Sequence, residues 1–137
     1  MSGPTESYVA VWKRQCWKCQ RLITVAMDIT EWRGPHATHG GMWRQRLSPE
    51  AAGQLAHGAN VQFRKTSDAP EGYFANVCTA CDSVQGDWFL NEDLTRLAYE
   101  PVPRDFAALR LRGKRVVKTF NSIPELEKYR FGRYGSA

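Results

Sequence analysis

The chain has 137 residues, of which 42% are hydrophobic, and its formal net charge is +5. Five Trp, five Tyr and six Phe argue against a disordered chain, and this length predicts one domain with a buried core. No apolar run is long enough to span a membrane, and the first seven residues are polar, unlike a signal peptide. We therefore expect a cytoplasmic protein without a membrane partner.

The positive charge is concentrated in the last quarter of the chain. Residues 1–103 carry ten Lys/Arg and eleven Asp/Glu, whereas residues 104–137 carry nine Lys/Arg and three Asp/Glu. A basic segment of this kind favours a polyanionic partner, so we expect nucleic acid, either DNA or RNA, to bind there.

The four cysteines form two CxxC pairs, Cys16 with Cys19 and Cys78 with Cys81. Two intervening residues allow both sulfurs of a pair to turn toward one point, and two such knuckles make a tetrahedral cage that suits Zn²⁺. The long gap between the pairs is tolerated because loop-closure entropy grows only logarithmically with length. The spacing therefore predicts one structural Zn²⁺ bound by all four cysteines.

Other uses of the cysteines stay open: a redox pair, disulfides within or between the pairs, or unligated buried thiols. A redox CxxC opens a helix, whereas Ile23, Val25, Met27 and Ile29 alternate after the first pair and indicate a strand. Unligated thiols do not explain two equal spacings, so zinc is favoured. We interpret Trp17, inside the first knuckle, as a lid over the sulfurs, with base stacking as the alternative.

Strands are predicted on both sides of each knuckle. Residues 8–12 and 22–30 flank the first, and residues 73–77 and 88–90 flank the second, after a further strand at 61–64. Good N-cap residues predict three short helices, beginning at Ser48, Asn91 and Ser122. Ser122 with Glu125 also forms a capping box.

Residues 109–120 carry the clearest hairpin signal, with a two-residue type II′ turn at Gly113 and Lys114. In the predicted register Arg112 faces Arg115, and Arg110 faces Val117. Like charges opposite each other destabilise a sheet, so either a bound polyanion compensates them or the hairpin is a solvated edge. The buried side would hold Leu109, Leu111, Val116 and Phe120. The predicted nucleic-acid contacts are Arg110, Arg112, Lys114, Arg115 and Lys118.

These elements predict an α+β fold, with small antiparallel sheets or hairpins built around a four-cysteine zinc ribbon and with three short helices. Residues 1–103 would form the zinc-ribbon-like domain, with an insert between the knuckles at residues 31–72. Residues 104–137 would form a basic hairpin-plus-helix tail packed on the same domain.

Two strings around the cysteines carry a resemblance. Cys16-Trp17-Lys18-Cys19 and the later residues 76–87, NVCTACDSVQGD, resemble small uncharacterised bacterial and mobile-element proteins with a CWKC…NxCxxC…QGD pattern. The layout of two knuckles is similar to that of the zinc-ribbon class. The resemblance implies metal ligation by the four cysteines and carries over no catalytic residue.

We expect a structural-zinc-containing nucleic-acid-binding module that contacts mainly the phosphate backbone. The alternative is a protein–protein interaction module or accessory subunit of a larger assembly, for instance a mobile-element or phage-related one. An enzyme is less favoured. A metal-dependent nuclease would need Asp28, Glu31, His36, His39 or His57, whose spacings indicate no site, and a four-cysteine cage leaves no open position for water.

Overall fold

The computed structural model describes residues 6–30, 32, 59–67, 69–113 and 115–132. In these ranges the elements, in chain order, are β1 (Glu6–Gln15), β2 (Leu22–Asp28), β3 (Val61–Arg64), β4 (Tyr73–Val77), β5 (Val84–Gln85), α1 (Asp87–Leu97), β6 (Phe106–Arg112), β7 (Arg115–Phe120) and α2 (Ile123–Phe131).

The strands form two antiparallel sheets. One has four strands in the order β2–β1–β6–β7, and the other has three in the order β3–β4–β5. In the larger sheet Val11 of β1 pairs with Ala26 of β2 on one side and with Ala107 of β6 on the other. The basic carboxyl-terminal segment therefore supplies two strands of the same sheet that carries the first knuckle.

Both faces of the larger sheet are buried. The face that carries Ala10 and Trp12 packs against the two helices, and the opposite face carries Val9 and Val11 and packs against Val61 of the smaller sheet. Burial on both faces explains why residues 9–12 form a continuous apolar run instead of an alternating one. The helix-side core contains Val25, Met27, Ile29, Leu90, Leu94, Leu97, Phe106, Ala108, Phe120, Ile123 and Leu126.

Asn76 joins the two sheets. Its side chain is buried on β4, where Oδ1 accepts a hydrogen bond from the Ala26 backbone N–H and Nδ2 donates to the Ala26 carbonyl, both at 2.8 Å. Ala26 lies on β2, which is an edge strand of the larger sheet. The amide of Asn76 therefore satisfies two backbone groups that a further strand would otherwise have to pair.

The prediction of three short helices is wrong for the described residues, which contain two. The helix predicted from Ser48 lies outside the described residues. The α+β class itself is correct, with strands predominating over helices in the described ranges.

The first described helix, α1, also begins earlier than predicted. It starts at Asp87 after Gly86, not at Asn91, and it includes residues 88–90, which were predicted as a strand. Leu90, Leu94 and Leu97 are buried at spacings of four and three, so the helical period of this longer segment outweighs the short β-prone run.

The second helix, α2, begins as predicted. The Ser122 hydroxyl accepts from the Glu125 backbone N–H at 3.1 Å, and the Glu125 carboxylate accepts from the Asn121 N–H at 3.2 Å. At the other end Gly132 has a φ of +62°, and its N–H donates to the Lys128 carbonyl. Local chemistry therefore sets both ends of α2.

The register of the β6–β7 hairpin is only partly as predicted. Arg112 pairs with Arg115, but Arg110 pairs with Lys118, not with Val117. A bulge next to Arg110 places one extra residue on β7 and shifts the remaining pairs.

The bulge also changes which residues share a face. Phe120 pairs with Ala108 and packs into the helix-side core, whereas Leu109 and Leu111 pack on the opposite face. The prediction that these three lie on one side is therefore wrong. Val116, predicted to be buried with them, is exposed.

Asn76→Ala should destabilise the protein by roughly 1–3 kcal/mol, because it leaves buried backbone groups of Ala26 without a partner. The free energy of unfolding from urea titration measures this loss. Gln62→Ala, at an exposed amide on neighbouring β3, is the matched control and should change stability by less than about 0.5 kcal/mol. Equal losses in the two variants would contradict the role of Asn76.

Candidate metal centre

The structure brings Cys16, Cys19, Cys78 and Cys81 together, with all four Sγ atoms within 4.8 Å of one another. The sulfurs of Cys16 and Cys81 are 3.6 Å apart, and so are those of Cys19 and Cys78. A disulfide would place its sulfurs about 2.05 Å apart, so these are free thiols. Around a tetrahedral ion with metal–sulfur bonds of about 2.3 Å, neighbouring sulfurs would lie about 3.8 Å apart. The cluster therefore has the dimensions of a four-thiolate metal site.

The first knuckle is a tight turn between β1 and β2. The N–H of Cys16 donates to the Arg21 carbonyl at 2.8 Å, and the Gln20 N–H donates to the Cys16 carbonyl at 2.9 Å. Gln20 has a φ of +67°, which closes the turn. The turn directs the Lys18 N–H at the Cys16 sulfur, 3.4 Å away.

The second knuckle, between β4 and β5, repeats this geometry. The N–H of Cys78 donates to the Ser83 carbonyl at 2.9 Å, and the Asp82 N–H donates to the Cys78 carbonyl at 2.9 Å. Asp82 also has a φ of +67°, and the Ala80 N–H lies 3.4 Å from the Cys78 sulfur. Two separate parts of the chain therefore adopt one thiolate-binding turn, with the left-handed residue four positions after the first cysteine.

Burial differs within each pair in the same way. Cys16 and Cys78 are buried, whereas Cys81 is partly exposed and Cys19 is exposed. The first cysteine of each knuckle therefore faces the protein interior and the second lies nearer solvent. Trp17, for which a lid over the sulfurs is predicted, is 54% exposed, and its indole N–H donates to the Val84 carbonyl at 2.8 Å.

Gln85 is fully buried on β5 and contacts the cysteine cluster from the protein interior. Its Nε2 donates to the Cys16 sulfur at 3.3 Å and to the Ser83 carbonyl at 3.2 Å. Its Oε1 accepts from Arg14 Nη1 at 3.0 Å and from the Trp17 backbone N–H at 3.4 Å. The amide thus uses all its hydrogen-bonding capacity and holds both the sulfur and the knuckle in place.

Arg14 extends this contact to the helix-side core. Its Nε donates to Asp93 Oδ2 at 2.8 Å, and the same oxygen accepts from Trp12 Nε1 at 2.9 Å. Asp93, on α1, therefore joins β1 to the helix. A continuous path of hydrogen bonds runs from α1 through Arg14 and Gln85 to Cys16. Sequence reasoning missed Gln85, although it lies in the QGD string next to the second cysteine pair.

The donors around Cys16 favour its thiolate form. Burial raises the pKa of the Cys16 thiol, but the backbone N–H groups of Cys19 and Lys18 and the Gln85 amide outweigh it and bring the pKa down to about 6. Charge-assisted N–H···S contacts of this kind prepare a sulfur for a cation.

The other thiols show the cost of placing four sulfurs together. The Ser83 hydroxyl lowers the pKa of the Cys81 thiol. The Arg21 backbone N–H lowers the pKa of Cys19, but burial and the neighbouring sulfurs, Cys78 first, raise it to about 11. Four thiolates cannot share this space without a compensating positive charge, which a divalent cation would supply.

Glu6 changes the interpretation of the basic hairpin. It lies opposite Arg112 across the β1–β6 pair, and its carboxylate binds both Arg110 and Arg112, with 2.9 Å between Arg112 Nη2 and Glu6 Oε2. Hydrogen bonds from Arg112 and Arg110 lower the pKa of Glu6. Glu6 therefore supplies, from within the protein, part of the negative charge that offsets the facing cations of the hairpin.

The remaining described cations of the hairpin are Arg115 and Lys118, and both are exposed. The Lys118 ammonium lies 5.6 Å from the ring centroid of Tyr129 on α2, and the Arg110 guanidinium carbon lies 5.9 Å from the same ring. Lys114 lies outside the described residues.

The candidate nuclease residues do not form a described site. Asp28 Oδ1 accepts from the Thr30 backbone N–H at 2.8 Å and so caps the turn after β2. The other four lie outside the described residues: Glu31, His36, His39 and His57.

No family model matches the chain, and neither the curated proteins nor the solved structures yielded a match. The resemblance to zinc ribbons therefore stays a prediction. Among the described helices, neither is long and apolar enough to cross a membrane. The four cysteines form a cluster that is able to hold a metal ion.

Gln85→Leu should weaken metal binding by about 10- to 100-fold, because the outer contact to the Cys16 sulfur is lost. Competition with a chromogenic chelator measures the affinity. The control is Gln15→Leu at the exposed glutamine beside the same cysteine, which should retain the wild-type affinity. An unchanged affinity in folded Gln85→Leu would show that Gln85 does not support the site.

Proposed function

We propose that the protein is a small cytoplasmic nucleic-acid-binding module whose fold depends on one structural Zn²⁺. Four sulfur donors within 4.8 Å of one another suit Zn²⁺, although iron also accepts such a set. The site has no place for a catalytic water once all four thiolates are bound, so the metal's role is structural and we expect no enzymatic activity at this centre.

The position of the knuckles supports a structural role for the metal. One knuckle connects β1 and β2 of the larger sheet, and the other connects β4 and β5 of the smaller sheet. An ion bound by both would cross-link the two sheets, in addition to the contact made by Asn76. Because an unfolded chain has no preformed site, the binding free energy would appear as folding free energy.

One observation carries the nucleic-acid proposal: among the residues that the structure describes, four cations face each other in pairs on one face of the hairpin, and the Glu6 carboxylate lies among them. Arg112 pairs with Arg115, and Arg110 pairs with Lys118, while Glu6 binds only the two β6 arginines. A positive excess therefore remains on this face, and a phosphate backbone would offset it. Tyr129, which is exposed between Arg110 and Lys118, adds a ring to the same surface.

Purified protein should contain one equivalent of zinc, and removing it with a strong chelator should lower the melting temperature and increase protease sensitivity. Cys16→Ser and Cys78→Ser should aggregate or become protease-sensitive for the same reason. Thr79→Ser, inside the second knuckle, retains all four thiols and should behave as wild type. Elemental analysis and limited proteolysis test this, and equal thermal stability with and without chelator would contradict it.

Arg115→Glu and Lys118→Glu should each weaken binding of a labelled oligonucleotide duplex and reduce the log–log salt slope by about 1, because each removes one phosphate contact. Lys65→Glu makes the same charge change at an exposed position just after β3, which belongs to the smaller sheet, and is the matched control. Fluorescence anisotropy at several salt concentrations measures both quantities. Salt-independent binding, or an equal effect of Lys65→Glu, would remove the hairpin as the contact surface.

A further inference from the structure

A second exposed surface lies beside the metal centre. We call it the knuckle surface and define it by Trp17, Lys18, Arg21 and Phe89. The first three belong to the first knuckle. Phe89 lies on α1, where the Arg14 guanidinium carbon is 5.8 Å from its ring centroid, and that guanidinium shares the Gln85 amide oxygen with the Trp17 backbone. Arg14 thus contacts the Phe89 ring and, through the Gln85 amide oxygen, shares a hydrogen-bond acceptor with Trp17.

The two rings of this surface are accessible, and a hydrogen bond holds the Trp17 ring in position. Trp17 is 54% exposed and Phe89 is 41% exposed. The indole N–H of Trp17 is already bonded to the Val84 carbonyl, so the ring edge is fixed and part of the ring remains free. A side chain that is ordered before binding loses little conformational entropy on binding, which favours its use as a contact.

The charges of the knuckle surface indicate what kind of ligand fits it. Lys18 and Arg21 are exposed and make no ion pair with another described residue. Four thiolates around a divalent cation would carry a charge of −2, however, and these two cations would largely offset it. The surface would therefore be close to neutral, so it would offer aromatic stacking more than attraction for a highly acidic partner.

We propose that the knuckle surface stacks an unpaired base of single-stranded nucleic acid, with Trp17 as the main platform. This deepens the proposed function and rests on it. A base inside a duplex already has its faces covered, whereas every unpaired base offers a ring face to an aromatic side chain. Removing an aromatic side chain that stacks a base weakens nucleic-acid binding by an amount large enough to measure.

The location of this surface makes it a contact separate from the basic hairpin. Glu6, which binds the hairpin arginines, begins β1, and Gln15, next to the first knuckle, ends it. Nine steps along a strand span roughly 30 Å. The hairpin would hold phosphates at one end of the larger sheet while the knuckle surface holds a base at the other.

The test compares a labelled oligothymidine strand with an abasic sugar–phosphate strand of the same length, by fluorescence anisotropy. Trp17→Ala should weaken binding of oligothymidine by about 5- to 100-fold and leave binding of the abasic strand unchanged. Phe89→Ala, which leaves the knuckle intact, should give a smaller loss of the same kind. Tyr99→Ala removes a ring that is 60% exposed beyond the other end of α1, and this control should bind as wild type. Zinc content confirms that each variant retains its metal centre.

The outcomes separate this inference from the proposed function. Loss of binding in Arg115→Glu and Lys118→Glu, with unchanged binding in Trp17→Ala and Phe89→Ala, would overturn the stacking site and retain the hairpin. Loss only in the aromatic variants would support the stacking site and remove the hairpin. Absence of binding to the two strands and to the duplex would overturn both. Equal, Trp17-dependent binding of a polyglutamate peptide would also overturn the inference, because it would indicate an acidic protein partner.

Discussion

The structure depends on the meeting of four sulfurs that come from two different sheets. Each pair is delivered by the same turn, with N–H groups directed at the first sulfur and a left-handed residue at Gln20 or Asp82. Each turn is formed by local contacts, but ionising all four sulfurs at this spacing without a cation is unfavourable, and the neighbouring sulfurs accordingly contribute to the raised pKa of Cys19. An ion would relieve this repulsion between thiolates and would also fix one sheet against the other. Metal binding and the relative position of the sheets would therefore be energetically coupled.

The surroundings of the sulfurs connect the site to the hydrophobic core. Gln85 is buried with its amide shared between a sulfur, two knuckle groups and Arg14, and Arg14 is fixed in turn by Asp93 on α1. Disturbing the helix would therefore move a donor of the Cys16 sulfur. The polar groups at this junction bind one another, which explains how a glutamine and an ion pair can lie beside an apolar core at little cost.

Sequence reasoning predicted the features that local chemistry decides. Two equal cysteine spacings predicted the knuckles, and Ser122 with Glu125 predicted the start of α2. It failed where a distant partner decides. Glu6 meets Arg110 across 104 positions of the chain, and a bulge next to Arg110 places Phe120 in the helix-side core. The predicted start of α1 is wrong because residues 88–90 are β-prone when considered alone. They belong to a longer segment whose apolar residues recur with the helical period.

The charge of the last quarter of the chain is a poor guide to its surface. Counting residues gives a strongly basic tail, but Glu6 from the opposite end of the sequence neutralises part of it, and the cations around the first knuckle face a site that would itself be negative. With a divalent ion bound, the protein would present a basic face at the hairpin and a nearly neutral aromatic face at the knuckle. Contacts at the first would release counterions and depend on salt, whereas stacking at the second would not. Under the proposed function, a single-stranded nucleic acid would be able to use both kinds of contact at once, because it presents charged phosphates and uncovered bases along the same chain.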